Sequence, residues 1–113
     1  MSENCLFCKM VAGDIQPDIV FENDRILAFN DIAPQAPIHI LIIPKKHFST
    51  LNSMDDCALL GELMQTAAHL AQKLGVADTG YRTVINCNEQ GGQAVYHLHI
   101  HLLAGRQMTW PAG

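Results

Sequence analysis

Short stretches of alternating hydrophobic and polar residues recur along the chain, and this pattern predicts strands with two unlike faces. The stretches cover residues 18–22, 25–30, 38–44, 81–88 and 97–103. The first two flank Asn23-Asp24, which is typical of a tight turn between paired strands. Alternation around Leu27 and Phe29 predicts that the sheet has one better-buried face.

Two segments carry the signals of helices. Residues 5–12 predict a short helix that ends at Gly13. A long helix is predicted from about Met54 to Leu74, because Ser53 and Asp56 have capping-box spacing and Gly75 follows. Its apolar residues predict one buried face: Leu60, Leu63, Met64, Ala67, Ala68, Ala71 and Leu74. Helices and strands together predict one α+β domain over residues 1–113.

Composition narrows the class of protein. The chain has 113 residues, 49% of them hydrophobic, and a net charge of −4, which argues against a partner made of nucleic acid. We also expect no membrane partner, because no apolar stretch could span a bilayer and the first residues do not resemble a signal peptide. We therefore expect a cytoplasmic protein whose cysteines stay reduced.

Three of the six histidines lie at alternate positions, His97, His99 and His101. On a strand they would project from one face while the intervening leucine and isoleucine enter the core. We expect this strand to be exposed at the edge of the sheet. The row could be a polar outer face, a metal site with an open water position, or a nucleophilic site in which one imidazole attacks and its neighbours supply protons.

The loop before this strand contains Gly91-Gly92. Glycines let backbone N–H groups turn towards an anion. An imidazole is partly neutral at pH 7 and can act as a nucleophile when its other nitrogen is held by an acceptor. Together the loop and the histidines favour attack on phosphorus, with N–H donors and imidazolium stabilising the developing charge.

The sequence resembles the histidine triad (HIT) family, and in particular its Hint branch. The motif of three alternating histidines followed by two apolar residues spans residues 97–103. Further matching segments lie along nearly the whole chain, at residues 19–21, 27–29, 31–37, 43–47, 80–82, 91–93, 95–96, 105–108 and 110–111.

The resemblance implies an α+β HIT-like fold with an antiparallel sheet, one long helix, one short helix and a two-fold homodimer with a continuous sheet. It implies hydrolysis of purine nucleoside phosphoramidates to AMP without an organic cofactor. His99 would be the nucleophile that forms a nucleotidyl-histidine intermediate. His97 and His101 would flank it, and His39 would relay protons to the leaving amine.

The same resemblance implies the nucleotide-binding residues. Asp31 would accept hydrogen bonds from the ribose, and His101 and His99 would contact the phosphate. The base would lie between apolar side chains, those of Ile15, Phe29, Ile32 and Leu41. Contacts on the phosphate side would come from Asn86, Gly92, Gln93, Ala94 and Val95.

Ala94 departs from the family pattern, which often has serine at this position. The backbone N–H remains, but the side-chain donor near the leaving group is lost. One such contact is worth about 1 kcal/mol of transition-state stabilisation. We therefore expect the activity class to be kept, with a changed rate and leaving-group preference.

Cys5 and Cys8 form a C-x-x-C pair, which is a common half-site for zinc. Some bacterial histidine triad proteins carry this pair and bind zinc with two histidines. By that resemblance His47 and His97 would complete a structural Cys₂His₂ site. The alternative is that both cysteines are small helix residues that bind no metal.

Two other functions fit the same residues. One is an AMP-binding regulatory protein whose hydrolysis is incidental, and it would keep the Asp31 pocket. The other is a zinc-dependent hydrolase that uses His97, His99 and His101 as metal ligands.

Overall fold

A five-stranded antiparallel sheet forms the centre of the fold in the computed structural model, which describes residues 4–113. Its order is β1-β2-β3-β5-β4, from strands Ile19–Glu22, Ile26–Asn30, Ile38–Pro44, Tyr81–Val84 (β4) and Ile100–Ala104 (β5). Helix α1 covers Leu6–Ala12, helix α2 covers Cys57–Lys73, and a 3₁₀ turn covers Leu51–Ser53. These elements confirm the predicted α+β fold with one long and one short helix.

Both faces of the sheet are covered, so the expectation of one better-buried face is wrong. On β2, Ile26 and Ala28 belong to the core under α2. Leu27 and Phe29 belong to a second buried cluster that includes Phe7 of α1. The short helix packs on the Leu27 and Phe29 face while α2 covers the other, and the face under the short helix carries the histidines.

Helix α2 begins at Cys57, three residues later than predicted. The Asp56 carboxylate caps it by accepting a hydrogen bond from the Leu59 N–H at 3.0 Å. The predicted pairing of Ser53 with Asp56 is wrong, because Ser53 ends the preceding 3₁₀ turn and is paired with Thr50. A side chain already used in that turn cannot also cap the helix.

The buried face of α2 is rotated from the predicted one. The buried residues are Leu59, Leu63, Ala67, Leu70 and Ala71. Met64 and Leu74, which were expected on this face, are 38% and 42% exposed. The helix turns the stripe around Leu63 towards the sheet, since that stripe meets the apolar side chains of β3 and β5. Within residues 4–113, no helix is both long and apolar enough to cross a membrane.

The histidine strand is shorter than predicted and does not lie at an edge. Strand β5 begins at Ile100 and runs between β3 and β4, so His97 and His99 lie in the segment that leads into it. Alternation is kept, because Leu98, Ile100 and Leu102 enter the core under α2. Strand β4 ends at Val84 rather than at Asn88, because its pairing with β5 stops where Val84 lies opposite His101, and the chain turns further on at Asn88, whose φ is 61°.

Candidate active site

Strands β3 and β5 bring His39 and His101 together on the face covered by α1. The pairing of the two strands places Leu41 opposite His101 and Leu103 opposite His39. Nε2 of His39 lies 2.9 Å from Nδ1 of His101. Sixty-two positions separate the two residues in the chain, so the pair exists only in the folded protein.

Hydrogen bonding fixes which nitrogen of each ring carries the proton. The backbone N–H of Gln35 donates to Nδ1 of His39 at 3.0 Å, so in the neutral ring the proton lies on Nε2. That Nε2–H then donates to Nδ1 of His101, with Asp31 Oδ2 at 3.4 Å from the same nitrogen. His101 therefore carries its own proton on Nε2.

His99 has the opposite arrangement. Its Nδ1 lies 2.7 Å from the carbonyl oxygen of His97, which can only accept, so Nδ1 carries the proton. Its Nε2 is then unprotonated, and no hydrogen-bond partner for it is found within residues 4–113. The Phe7 ring meets the imidazole edge-on, with centroids 5.2 Å apart, and restricts its rotation.

Burial keeps these rings neutral. It lowers the pKa of His99, although the bond to the His97 carbonyl and the Asp31 carboxylate act in the opposite direction. Burial, together with His99 and His39, lowers the pKa of His101 to about 4. Burial also lowers the pKa of His39 against the effect of Asp31. A neutral ring with one free nitrogen is the form in which an imidazole attacks.

His97 faces away from these rings and towards the cysteines. Its Nδ1 lies 3.3 Å from Cys5 Sγ, 3.4 Å from Cys8 Sγ and 3.2 Å from His47 Nδ1. Cys8 Sγ lies 3.2 Å from His47 Nδ1. His97 is fully buried, and its Nε2–H donates to the Pro44 carbonyl at 2.8 Å, which leaves Nδ1 bare towards the cluster. Burial lowers the pKa of His97 to about 4.

This cluster of Cys5, Cys8, His47 and His97 fits a tetrahedral metal ion. All four donor atoms lie within 4.8 Å of one another. The ligands of tetrahedral zinc are separated by about 3.3–3.8 Å, close to the distances found here. Burial and the neighbouring Cys5 raise the pKa of Cys8 to about 11, so without a cation it keeps its proton. A bound cation would favour the thiolate.

A largely apolar cleft of about 530 Å³ opens beside His99 and His101. This volume is typical of a site for a small molecule. Nine of the predicted nucleotide-binding residues line it: Ile15, Phe29, Asp31, Ile32, Leu41, Ala94, Val95, His99 and His101. Ile32 is fully exposed at the rim and is free to pack against a planar ligand.

Three predicted phosphate contacts do not line the cleft, namely Asn86, Gly92 and Gln93. The N–H groups of Gly92 and Gln93 donate to the Glu89 and Asn88 carbonyls within their own loop. The Gln93 side chain is buried and bonds to the backbone at Asn88, Ser49 and Val95. The loop is therefore a self-bonded turn, and Ala94 and Val95 are its cleft-lining residues.

Helix α1 contributes to the cleft, which was not predicted from the sequence. Leu6, Phe7 and Met10 line one wall, and the segment after the helix adds Gln16, Pro17 and Asp18. The 3–4 residue spacing of Leu6, Phe7 and Met10 marks an apolar helix face. Periodicity alone could not show that this face covers histidines rather than a plain core.

The geometry does not support a zinc hydrolase that uses the three alternating histidines. His97 directs Nδ1 to the cysteines and donates from Nε2 to the Pro44 carbonyl, so neither of its nitrogens is available to a metal ion shared with His99 and His101. Asp31, His39 and His101 do converge within 4.8 Å. However, the proton on His39 Nε2 occupies the nitrogen that a cation would need, because Gln35 already donates to Nδ1.

Fold and site together define a small α+β protein with a histidine-lined cleft on one sheet face. The family model of the HIT domain matches residues 12–108. The chain belongs to the HIT family.

Three relatives illustrate the match. A purine nucleoside phosphoramidase of Escherichia coli is 46% identical over 110 residues, which cover 96% of this chain and 92% of that protein. An uncharacterised HIT-like protein of Synechococcus elongatus is 51% identical over the full length of both chains. The crystal structure of a HIT family hydrolase from Legionella pneumophila superimposes with a TM-score of 0.95 at 56% identity, covering 97% of this chain and all of that one.

Proposed function

We propose that this protein is a hydrolase that cleaves the P–N bond of purine nucleoside phosphoramidates and releases AMP. The observation that carries the proposal is the unprotonated Nε2 of the neutral His99 ring, with His99 lining a nucleotide-sized cleft. The similarity to the Escherichia coli phosphoramidase supports the choice of substrate class.

In this proposal the substrate spans the cleft from base to phosphorus. The purine packs between Phe29, Leu41 and the exposed Ile32. The ribose hydroxyls donate to the Asp31 carboxylate, whose Oδ1 already accepts from the Ala33 N–H at 2.8 Å and is thereby oriented. The phosphoryl oxygens accept from the Nε2–H of His101.

The first half-reaction forms a covalent adduct. The Nε2 lone pair of His99 attacks phosphorus, the P–N bond breaks and its electron pair stays on the leaving nitrogen. The His97 carbonyl, hydrogen-bonded to Nδ1–H, stabilises the positive charge that develops on the His99 ring. His101 passes its Nε2 proton to the leaving nitrogen as the P–N bond breaks and takes a replacement proton at the same nitrogen from solvent, while His39 Nε2–H stays bonded to His101 Nδ1.

The second half-reaction uses water. Water attacks the phosphorus of the nucleotidyl-histidine, the P–N bond to His99 breaks with its electron pair returning to Nε2, and the water's proton is released to solvent, which balances the proton taken up in the first half-reaction. AMP is released and His99 returns to the neutral ring with a free Nε2. Attack by the imidazole and then attack of water on a phosphorus that carries imidazole as a good leaving group replace one slow attack of water on the phosphoramidate itself.

The test uses adenosine phosphoramidate with wild type, His99→Ala and His69→Ala. His69 is an exposed histidine of α2 and is the matched control. We expect AMP release and an acid-labile adduct on rapid quenching in wild type and His69→Ala, with both lost in His99→Ala. AMP binding by wild type without any turnover would instead favour the regulatory alternative.

We also propose that Cys5, Cys8, His47 and His97 hold a structural zinc ion. The closed set of two thiols and two imidazoles supports this proposal, because no donor position is left for a reacting water. The hydrogen bond from His97 Nε2–H to the Pro44 carbonyl holds the ring so that Nδ1 points into the cluster, as is usual for a histidine that binds a metal ion. When bound, the metal would supply cross-linking of α1 to the segment before β5.

Metal analysis tests this second proposal. We expect one zinc per chain in the wild type and in Cys57→Ser, and less than a tenth of that in Cys8→Ser. Cys57 is an exposed free cysteine outside the cluster and is the control. Equal zinc content in Cys8→Ser and the wild type would contradict the assignment.

We further propose a two-fold homodimer with a continuous sheet. Strand β4 ends the sheet and pairs only with β5 among the described residues, so its outer edge is open to a second copy. Exposed Met64 and Tyr81 give α2 and β4 apolar surface for the contact. Sedimentation equilibrium should give twice the chain mass, and a Tyr81→Lys variant should shift it towards the monomer.

A further inference from the structure

The loop between β2 and β3 is held from two sides at Gln35. Its backbone N–H donates to Nδ1 of His39 at 3.0 Å. Its carbonyl accepts from Nε of Arg106 at 3.0 Å. Arg106 follows β5 and lies 71 positions from Gln35 in the chain. The end of β5 therefore holds the loop that leads into β3.

The residue before Arg106 reinforces this contact. Gly105 has a φ of 94°, and a Cβ built on it would lie 2.8 Å from Cβ of Pro37. Only glycine allows the backbone to approach Pro37 so closely. We call Gly105 and Arg106 the clamp, because they contact the loop at its proline and at Gln35.

Holding Gln35 determines the tautomer of the histidine pair. With the Gln35 N–H directed at His39 Nδ1, the alternative tautomer would place two hydrogens against each other. A loop free to move could withdraw this donor, and the proton of His39 could then lie on either nitrogen. The partner ring would follow, because Nε2 of His39 and Nδ1 of His101 share one hydrogen bond.

We propose that Arg106 is a positioning residue that, through Gln35, fixes the tautomers of His39 and His101 so that His101 presents an N–H to the cleft. The use of that N–H in catalysis rests on the proposed phosphoramidase function. Asp31 Oδ2, at 3.4 Å from His39 Nε2, favours the same tautomer, so loss of Arg106 shifts the pair only in part.

The competing explanation is that Arg106 only anchors the C-terminal segment. Arg82 provides a matched control, because its Nη2 donates to the Thr109 carbonyl at 2.8 Å. Both arginines are linked to backbone carbonyls, and both hold the chain after β5. Arg106 alone of the two contacts the loop before His39.

The test compares wild type, Arg106→Met, Arg106→Lys and Arg82→Met by NMR of ¹⁵N-labelled imidazole rings. We expect wild type and Arg82→Met to show His39 protonated on Nε2. Arg106→Met should show exchange between tautomers at His39 and His101, and Arg106→Lys, which keeps a donor, should restore most of the wild-type spectrum. Unchanged ring tautomers in Arg106→Met would overturn the proposal. If Arg106→Met does not fold, Arg106→Gln takes its place in the comparison.

Kinetics provide the second measurement. We expect kcat for adenosine phosphoramidate to fall roughly 3- to 10-fold in Arg106→Met with little change in KM, because the lost contact matters in the transition state. Arg82→Met should keep the wild-type kcat. If wild type itself releases no AMP, the proposed function fails, whereas the NMR comparison still decides whether Arg106 fixes the tautomers.

Discussion

At the scale of single residues, three imidazoles of one motif have different chemical states because their neighbours differ. His99 donates from Nδ1 to the His97 carbonyl and keeps a free Nε2. His97 donates from Nε2 to the Pro44 carbonyl and keeps a free Nδ1 beside the cysteines. His101 accepts from His39 and presents Nε2–H. Hydrogen-bond acceptors and donors on the backbone and on His39 thus leave a bare Nε2 on His99, a bare Nδ1 on His97 and an N–H on His101, and the proposed roles rest on these states.

The first prediction concerns Asp31. Asp31→Ala should raise KM for the nucleotide about tenfold or more while lowering kcat less, because a ribose contact is made equally in the ground and transition states. Steady-state kinetics with adenosine phosphoramidate measure both constants. Asp18→Ala is the control, since Asp18 also lines the cleft but its carboxylate is bonded to Asn30. A loss confined to kcat would contradict the ribose assignment.

The second prediction concerns Ala94, which lines the cleft beside the histidines. Ala94→Ser adds one hydroxyl donor at the leaving-group side, and a contact worth about 1 kcal/mol corresponds to a rise in kcat of roughly fivefold. The rise should be larger for alkylamine leaving groups than for good ones such as anilines. An equal or lower rate across the whole series would show that the hydroxyl does not reach the leaving nitrogen.

At the scale of elements, the short helix α1 contacts both the histidine-lined cleft and the cluster of Cys5, Cys8, His47 and His97. Helix α1 has seven residues and is capped by Cys5, whose Sγ accepts from the Cys8 N–H at 3.3 Å. The Phe7 ring packs edge-on against both His97 and His99, 5.8 and 5.2 Å between centroids. A helix this short has little stability of its own, so packing and the cysteine cluster must hold it in place.

The third prediction belongs to α2. Asp56→Ala removes the cap that accepts from the Leu59 N–H and should lower the free energy of unfolding by about 1 kcal/mol. Asp55→Ala, which changes an exposed carboxylate next to it, should be within about 0.5 kcal/mol of wild type. Urea denaturation measures both, and equal stability of the two variants would argue against the capping role.

At the scale of the whole molecule, the two faces of the sheet carry different kinds of residue. The face under α2 is an aliphatic core built around Leu63, Ile42 and Ile100. The opposite face carries the cleft, the histidine pair and the cysteine cluster. Burying neutral histidines on that face links folding to pH, because each ring must charge when the protein unfolds in acid.

The fourth prediction follows from His101, whose pKa falls from an ordinary 6.5 to about 4 in the folded protein. Between these values the unfolded chain binds more protons, so stability is full above pH 6.5 and is lost as the pH falls towards 4. Urea midpoints at pH 7.5 and 5.0 should therefore differ less in His101→Asn than in wild type. His69→Asn, at an exposed site, should keep the wild-type difference.

Sequence by itself determined the α+β class, the alternation that sends Leu98, Ile100 and Leu102 into the core opposite the histidines, and the helical spacing that brings Cys5 and Cys8 together. These follow from local periodicity, since the side chains of a strand alternate whatever it packs against. The ends of α2 and β4 were less well predicted, because capping depends on which of several polar side chains is free to bond.

Tertiary structure alone decided the chemistry of each ring. The cysteine cluster joins Cys5 to His97 across 92 positions, and the clamp joins Arg106 to Gln35 across 71. Such contacts leave no periodic signal in the sequence, because they depend on how the strands and loops pack. Which nitrogen is bare, which face is covered and which histidine lines the cleft are therefore properties of the assembled sheet.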